Sequence, residues 1–215
     1  MSVPLRFASP TDNSRPHGSH RYDVFGPKIQ RQLALFGRDA LDAWTLLEAD
    51  PDVVAYCERP LSLPDLKRKR VVDFWVCRKE REEFIFLLRP SELASRLDHP
   101  SSIPAFRAWA ASSNVEPAFV DPDDIARQKL LLSNWESFLC DLSAFGRYVP
   151  KALSDQVLKA LPSFKTLTEL EQHFAEEDPV LLRVAVVSLL HQGRAICSTL
   201  GSETFSSRTV IEAKS

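Results

Sequence analysis

Two short apolar segments on either side of a charged run constrain the fold of this 215-residue chain most. Val71–Cys77 reads VVDFWVC and Glu83–Leu88 reads EFIFLL, while Arg78–Glu82 between them is entirely polar. Short segments rich in β-branched and aromatic residues and bounded by charge are typical of strands buried in a sheet. The pattern predicts a β-hairpin whose turn is formed by Arg78–Glu82.

A helix and another strand precede this hairpin. Apolar residues recur at helical spacing through Gly37–Ala49, and the step Asp50-Pro51 ends that helix. The β-branched and aromatic segment Val53–Cys57 then predicts a strand.

After Pro90 we predict a helix over Ser102–Ala111, a strand over Ala118–Asp121 and a helix over Asp123–Phe138. A helix, a strand and a second helix placed after a hairpin complete a small α/β sandwich.

The last third of the chain has a different pattern. Helices are predicted near Ser154–Leu161, Thr166–Phe174 and Pro179–Gln192, and short strands within Gly193–Ser198 and Arg208–Glu212. Three helices followed by two short strands are the winged-helix pattern, which we place in residues 148–215. Residues 21–147 form the α/β domain, and residues 1–20 are predicted to be a flexible tail because they carry few apolar side chains.

Composition excludes several classes of protein. The formal charge of −2 gives no overall attraction to polyphosphate, so nucleic-acid binding requires local basic patches. The six glycines form no phosphate-binding loop, and no paired cysteine or histidine spacing suggests a zinc site. Four isolated cysteines and the lack of an apolar leader predict a reduced, cytoplasmic protein without membrane contact.

Four segments together carry a resemblance to a known family. They are Leu47–Pro60 (LEADPDVVAYCERP), Val72–Val76 (VDFWV), Phe84–Pro90 (FIFLLRP), and the ending from Leu189–Gly193 (LLHQG) to Arg208–Ile211 (RTVI). In this order and approximate spacing they resemble the TnsA family of transposon endonucleases. The resemblance implies a restriction-endonuclease-like (PD-(D/E)xK) α/β core followed by a winged-helix-like C-terminal domain.

The resemblance also identifies the positions of the nuclease centre. Such an enzyme needs two or three acidic groups around magnesium, with a lysine beside them. Asp73 stands at the position of the central aspartate, whereas Ala40, Leu87 and Arg89 stand where the resemblance implies a glutamate, an acidic or amide residue and the lysine. We therefore expect an inactive centre in which Asp73 binds magnesium weakly and no cofactor is required.

Alternatives to this interpretation remain open. Asp73 could face solvent or pair with an arginine. An active metal-dependent endonuclease that cuts transposon 5′ ends could assemble a relocated site from Asp39, Asp73, Glu83 and Arg89 and use magnesium. A third hypothesis is a DNA-binding regulator unrelated to transposition.

The candidate DNA contacts lie in a dense basic run before the Asp73 strand and near the predicted wing. They are Lys67, Arg68, Lys69, Arg70, Arg194 and Arg208. Such side chains contact backbone phosphates without reading sequence. The competing interpretation of the basic run is a solvated hairpin tip.

The resemblance implies the partners of this chain. A member of the family is a subunit of a heteromeric bacterial transposition machinery and contacts DNA, a transposase subunit and an AAA+ transposition regulator. No small-molecule substrate is expected.

Overall fold

The computed structural model describes residues 6–63, 70–79, 81–94 and 115–214, which fall into two compact units. The first unit comprises Met1–Leu47 and Asp52–Arg127, and the second comprises Glu48–Pro51 and Gln128–Ser215. The long helix that follows Gln128 packs within the second unit, whereas the sequence-based division lies between residues 147 and 148.

The first unit opens with an antiparallel hairpin and a helix. Strands β1 (Arg21–Gly26) and β2 (Arg31–Phe36) pair along their full length, and helix α1 (Arg38–Ala49) follows. The helix confirms the sequence prediction, whereas the hairpin was not predicted. Leu33 and Leu35 are buried while Gln32 is exposed, which is the two-residue alternation of a strand with one covered face.

A four-stranded mixed sheet forms the centre of this unit. Its strands are β3 (Val53–Glu58), β4 (Phe74–Arg78), β5 (Glu82–Leu87) and β6 (Glu116–Val120), in that spatial order. Neighbours β3, β4 and β5 are antiparallel, and β6 runs parallel to β5. The predicted strands and hairpin are confirmed, and the fold class is α/β.

One apolar cluster packs against the sheet. Trp75, Phe84, Phe86 and Cys57 are almost completely buried in it, together with Val72 at the entry to β4. This burial explains why Val71–Cys77 and Glu83–Leu88 carry so few polar side chains.

The segment of residues 6–20 has no helix or strand, yet it packs on the first unit. The Phe7 ring meets Trp75 and Phe84 edge-on, with centroids 5.7 and 5.8 Å apart. The Thr11 amide donates to the Arg59 carbonyl at 2.9 Å. This part of the predicted tail is thus held by one aromatic side chain and a few hydrogen bonds, although its composition is poor in apolar residues.

Short helices flank the sheet strands. Helix α2 (Pro90–Ala94) follows β5, and α3 (Pro122–Ala126), capped by the Asp121 carboxylate, follows β6. The single helix predicted over Asp123–Phe138 is wrong, because the chain leaves helical geometry at Gln128 before the next helix begins. The helix predicted over Ser102–Ala111 lies outside the described residues.

The second unit is helical. Its elements are α4 (Lys129–Phe145), a 3-10 turn (Gly146–Tyr148), α5 (Lys151–Ala160), α6 (Leu167–His173), α7 (Pro179–His191), and the paired strands β7 (Ala195–Ile196) and β8 (Glu212–Ala213). Helix α7 is apolar on nearly every side because α4, α5 and α6 all pack around it. In the part of the chain that the structure describes, no helix has the length and apolarity needed to cross a membrane.

Polar contacts of two residues, Glu48 and Asn134, fix the second unit. The His191 ring lies 2.7 Å from the fully buried Glu48 carboxylate. The Asn134 amide donates to the carbonyls of Leu200 and Glu203, and its oxygen accepts the Phe205 N–H, each at 2.8 Å. The Asn134 side chain therefore supplies hydrogen bonds to the backbone of residues 200–205, a segment without helix or strand.

Candidate functional site

A polar cleft opens at the end of the sheet where β3 and β5 finish and β4 begins. Its volume is about 130 Å³, which is room for several water molecules or one phosphate group. Three arginines and two carboxylates line it, together with Ala40 of α1 and Pro16; these charged residues are Arg59, Arg70, Arg89, Glu58 and Asp73.

Asp73 lies directly before β4. Its Oδ2 accepts the Leu87 N–H at 2.8 Å and lies 3.2 Å from Nη1 of Arg70. Burial raises the pKa of the Asp73 carboxyl above its usual value, and Arg70, the Leu87 amide and Arg89 oppose that shift. Of the two structural interpretations of Asp73, pairing with an arginine is the one observed.

Arg70 is the centre of the polar network. Its Nε and Nη2 face the Glu92 carboxylate at 3.2 and 3.4 Å, and Nη2 also donates to the Leu87 carbonyl at 2.8 Å. With Asp73 and the Val71 carbonyl on Nη1, the guanidinium is surrounded by oxygen atoms from four residues, and only 8% of its side chain is exposed.

This environment differs from the exposed, phosphate-contacting position predicted for Arg70. The last residue of a basic run faces inward because Asp73 and Glu92 provide carboxylates there. The rest of that run, Lys67, Arg68 and Lys69, lies outside the described residues.

The residues of the cleft do not fit a divalent metal centre as they are arranged. Ala40, Asp73 and Arg89 do line one cleft, as the resemblance implied, but Ala40 has no oxygen ligand and the Leu87 side chain is buried. The Arg70 guanidinium lies between the carboxylates of Asp73 and Glu92. Across residues 6–63, 70–79, 81–94 and 115–214, no group of three metal-ligating side chains is placed to share an ion.

The relocated site proposed as an alternative does not assemble around Asp73 either. Glu83 is buried against Arg78, with Nε and Oε1 2.6 Å apart, and Arg81 lies on its other oxygen. Asp39 is exposed on α1 and does not line the cleft. Asp73 and Arg89 are the members of that set that line it.

Arg59 is a further charged residue of the cleft. It follows β3 with a φ of +47°, in the left-handed region that non-glycine residues seldom adopt. Its guanidinium lies over the Phe36 ring at 5.1 Å and 3.3 Å from Asp12 Oδ2. Its Nε is buried and has no hydrogen-bond partner among the described residues.

Glu58 is neutralised by a partner behind the cleft. Both of its carboxylate oxygens face the Arg31 guanidinium, at 2.8 and 2.5 Å, and the glutamate side chain is 3% exposed. The hydrogen bonds that Arg31 donates to Glu58 are the main reason that the pKa of Arg31 is raised. Arg31 and Glu58 thus form a bidentate ion pair within the protein, which leaves the Glu58 carboxylate without an oxygen for a ligand.

Charges in and around the cleft are balanced. Four arginines (Arg31, Arg59, Arg70 and Arg89) face four carboxylates (Asp12, Glu58, Asp73 and Glu92). Arg89 is exposed, and its side chain has no ion pair among the described residues. Arg59 and Arg70 could therefore take an additional anion only where a paired carboxylate moves away, whereas Arg89 is already accessible to one.

Sequence reasoning missed Glu92 and Asp12. Glu92 lies three residues after Arg89, and its carboxylate accepts the Arg89 N–H at 2.8 Å; an acid in the first turn of a helix was the available signal. Nothing in the sequence near Asp12 indicates a partner 47 residues away at Arg59.

Arg194 and Arg208, the two candidate DNA contacts of the second unit, lie in different environments. Arg194 pairs with Asp155 at 2.9 Å, which lowers the pKa of that carboxyl. Arg208 is exposed beside Val210, which bridges to Thr166. Of the two, Arg208 is the one whose position suits an external contact.

No protein-family model matches the chain, and no curated protein sequence is significantly similar to it.

Proposed function

We propose that this chain is a TnsA-like, cytoplasmic subunit of a heteromeric bacterial transposition machinery, which binds DNA and partner proteins but does not itself cut DNA. The observation that carries the proposal is the Arg70 guanidinium, held between the carboxylates of Asp73 and Glu92 in the cleft lined by Ala40 and Arg89. A side-chain cation is fixed in a carboxylate cluster of the kind that a nuclease would use for a metal ion.

A guanidinium replaces the charge of a metal ion but not its chemistry. Magnesium binds and exchanges water and phosphate oxygens, and it assists the attack of water on phosphorus. Arginine has only N–H donors, here directed at protein oxygens, and it is neither a Lewis acid nor a proton acceptor at neutral pH. The cleft therefore retains a balanced polar network without the groups that hydrolysis requires.

The order of elements supports a restriction-endonuclease-like core. A helix, three antiparallel strands and a strand parallel to the third follow one another in the first unit, with Asp73 before the second strand of the sheet. In the second unit, three short helices followed by the β7–β8 pair support a winged-helix-like domain. Both assignments belong to the proposal.

DNA binding in this proposal is electrostatic. Lys67, Arg68 and Lys69 precede the buried Arg70, and Arg208 is exposed in the second unit. Lysines and arginines of this kind bind phosphates of any sequence and lose affinity as salt rises. The transposase subunit and the AAA+ regulator are assigned as partners from the resemblance, with the winged-helix-like domain as a docking element.

The test combines cleavage with DNA retention. Supercoiled plasmid and a short duplex are incubated with the purified protein in magnesium or manganese, and duplex affinity is measured over a salt series. We expect no cleavage and an affinity that falls as salt rises. Replacing Lys67 and Lys69 by Gln should reduce the magnitude of the log–log salt slope by roughly one per lysine. Replacing Lys151 and Lys159 in α5 by Gln removes the same charge and serves as the control.

Two results would contradict the proposal. Cleavage that Asp73→Asn abolishes would establish the alternative, an active metal-dependent endonuclease with a rearranged centre. Absence of duplex retention at low salt would remove the DNA-binding role. Retention of duplex without any association with transposase or AAA+ subunits would favour the third hypothesis, a regulator unrelated to transposition.

A further inference from the structure

Residues 11–16 are attached beside the cleft mainly through Arg59, and the Thr11 hydroxyl also donates to the Pro60 carbonyl. The Thr11 amide donates to the Arg59 carbonyl at 2.9 Å, and the Arg59 Nη1 donates to the Ser14 carbonyl at 3.0 Å. Asp12 faces the Nη2 of the same guanidinium at 3.3 Å, and Pro16 lines the cleft. The segment therefore places Pro16 in the lining of the cleft and pairs its Asp12 carboxylate with one of the cleft arginines.

Asp12 differs from the other carboxylates of the cleft. Glu58, Asp73 and Glu92 belong to, or directly flank, strands and a helix of the first unit. Asp12 belongs to a segment without helix or strand, whose attachment depends on a few contacts. It is thus the carboxylate that can leave with the least disturbance to the sheet.

Departure of Asp12 would convert the balanced cleft into an anion site. Arg59 would then have a free face, with its guanidinium held over Phe36 and its backbone fixed by a hydrogen bond from Arg59 N–H to the Asp73 carbonyl at 2.9 Å. Arg89 provides a second, exposed cation on the same cleft. Guanidinium groups bind phosphate through paired N–H donors, and the cleft volume is sufficient for one phosphate group.

We propose that residues 11–16 form a strap in which the Asp12 carboxylate pairs with the Arg59 guanidinium. A phosphodiester group displaces this carboxylate and binds between Arg59 and Arg89. The strap lowers the apparent affinity of the cleft because only the strap-released form binds phosphate. DNA as the source of the phosphate rests on the proposed function, whereas the competition between carboxylate and phosphate does not.

The first experiment measures affinity for a labelled duplex at low salt. Asp12→Asn removes the competing charge and should tighten binding about fivefold, as expected for loss of one competing ion pair. Asp23→Asn on β1 makes the same change in net charge at an exposed pair outside the cleft and should have a much smaller effect. Arg59→Asn removes the guanidinium while keeping a residue type that tolerates positive φ.

The combination of variants separates competition from net charge. In the Arg59→Asn background, Asp12→Asn should give no additional tightening. Equal tightening by Asp12→Asn in both backgrounds, or equal effects of Asp12→Asn and Asp23→Asn, would overturn the strap.

The second experiment follows hydrogen exchange of residues 6–20. Saturation with duplex should accelerate exchange of the Thr11 amide, whose bond to Arg59 breaks when the strap leaves. Inorganic phosphate is the second arm: acceleration by it identifies a site for free phosphate, and acceleration by duplex alone identifies a site for the DNA backbone.

The outcomes distinguish this inference from the proposed function. Duplex retention by all variants with unchanged Thr11 exchange overturns the strap and leaves DNA binding intact. Retention by Asp12→Asn but not by the wild-type protein supports the strap. No retention by any variant, with no exchange response to phosphate, overturns both.

Discussion

Removal of the Arg70 side chain is the most direct perturbation of the polar network. In Arg70→Ala, the Asp73 and Glu92 carboxylates lose the guanidinium between them, and the Leu87 carbonyl loses a hydrogen bond. Breaking a buried ion pair by deleting one partner costs about 3–5 kcal/mol. The two carboxylates are 27% and 29% exposed, so water compensates in part and we expect the lower end, about 3 kcal/mol.

The pH dependence of that loss gives a second, independent check. Burial already raises the pKa of Asp73, and the mutation removes the strongest opposing contribution, so the pKa rises further in the variant. A carboxyl whose folded-state pKa is raised contributes stability at low pH and loses it as pH rises through that value. The deficit of Arg70→Ala relative to wild type should therefore be larger at pH 7 than near pH 4.

Urea unfolding at the two pH values measures both quantities. The double variant Arg70→Ala/Asp73→Asn should recover part of the loss at neutral pH, since the buried charge is gone. Arg21→Ala, which breaks the exposed pair with Asp23, is the control and should change stability little. A deficit that is the same at both pH values, or no recovery in the double variant, would refute the role assigned to Arg70.

Three further changes test the second unit by urea unfolding. His191→Ala leaves the fully buried Glu48 without its imidazole partner and should cost about 2–4 kcal/mol, whereas a cost below 1 kcal/mol would contradict the pair. Gly193→Ala should destabilise by at least about 1 kcal/mol, because φ is +67° and a Cβ there lies 2.5 Å from Cβ of Pro51; a neutral result would contradict the close approach. Thr166→Ala removes the side chain that caps α6 and should cost about 1 kcal/mol, while Thr166→Ser should restore most of it.

The central elements of the fold could be predicted because their patterns are local. Burial on both faces leaves a sheet strand almost wholly apolar, as in β4 and β5, and helix α7 is apolar enough to be recognised between Asp178 and Gly193. The break at Gln128 could not be predicted from such patterns. Neither proline nor glycine occurs there, and helical spacing continues across it.

The cleft contains residues that the sequence singled out and charged partners that it did not. Ala40, Asp73 and Arg89 were expected together and do line one cleft. The orientation of Arg70 depends on Glu92, which meets it only through the three-dimensional arrangement of α2 and β4. A basic run next to a strand gives no local signal that its last member is buried, because one of the two compensating carboxylates, Glu92, lies 22 residues away.

Because Cys57 is buried in the sheet, the rate at which its thiol is labelled reports on opening motions of the first unit. Its thiol is fully buried, and burial together with the neighbouring Glu58 raises its pKa to about 12. Alkylation requires an accessible thiolate, so this cysteine reacts only during a transient opening of the sheet. The exposed Cys140 on α4 reacts without such an opening. The ratio of the two labelling rates in native buffer thus reports how often the centre of the sheet opens.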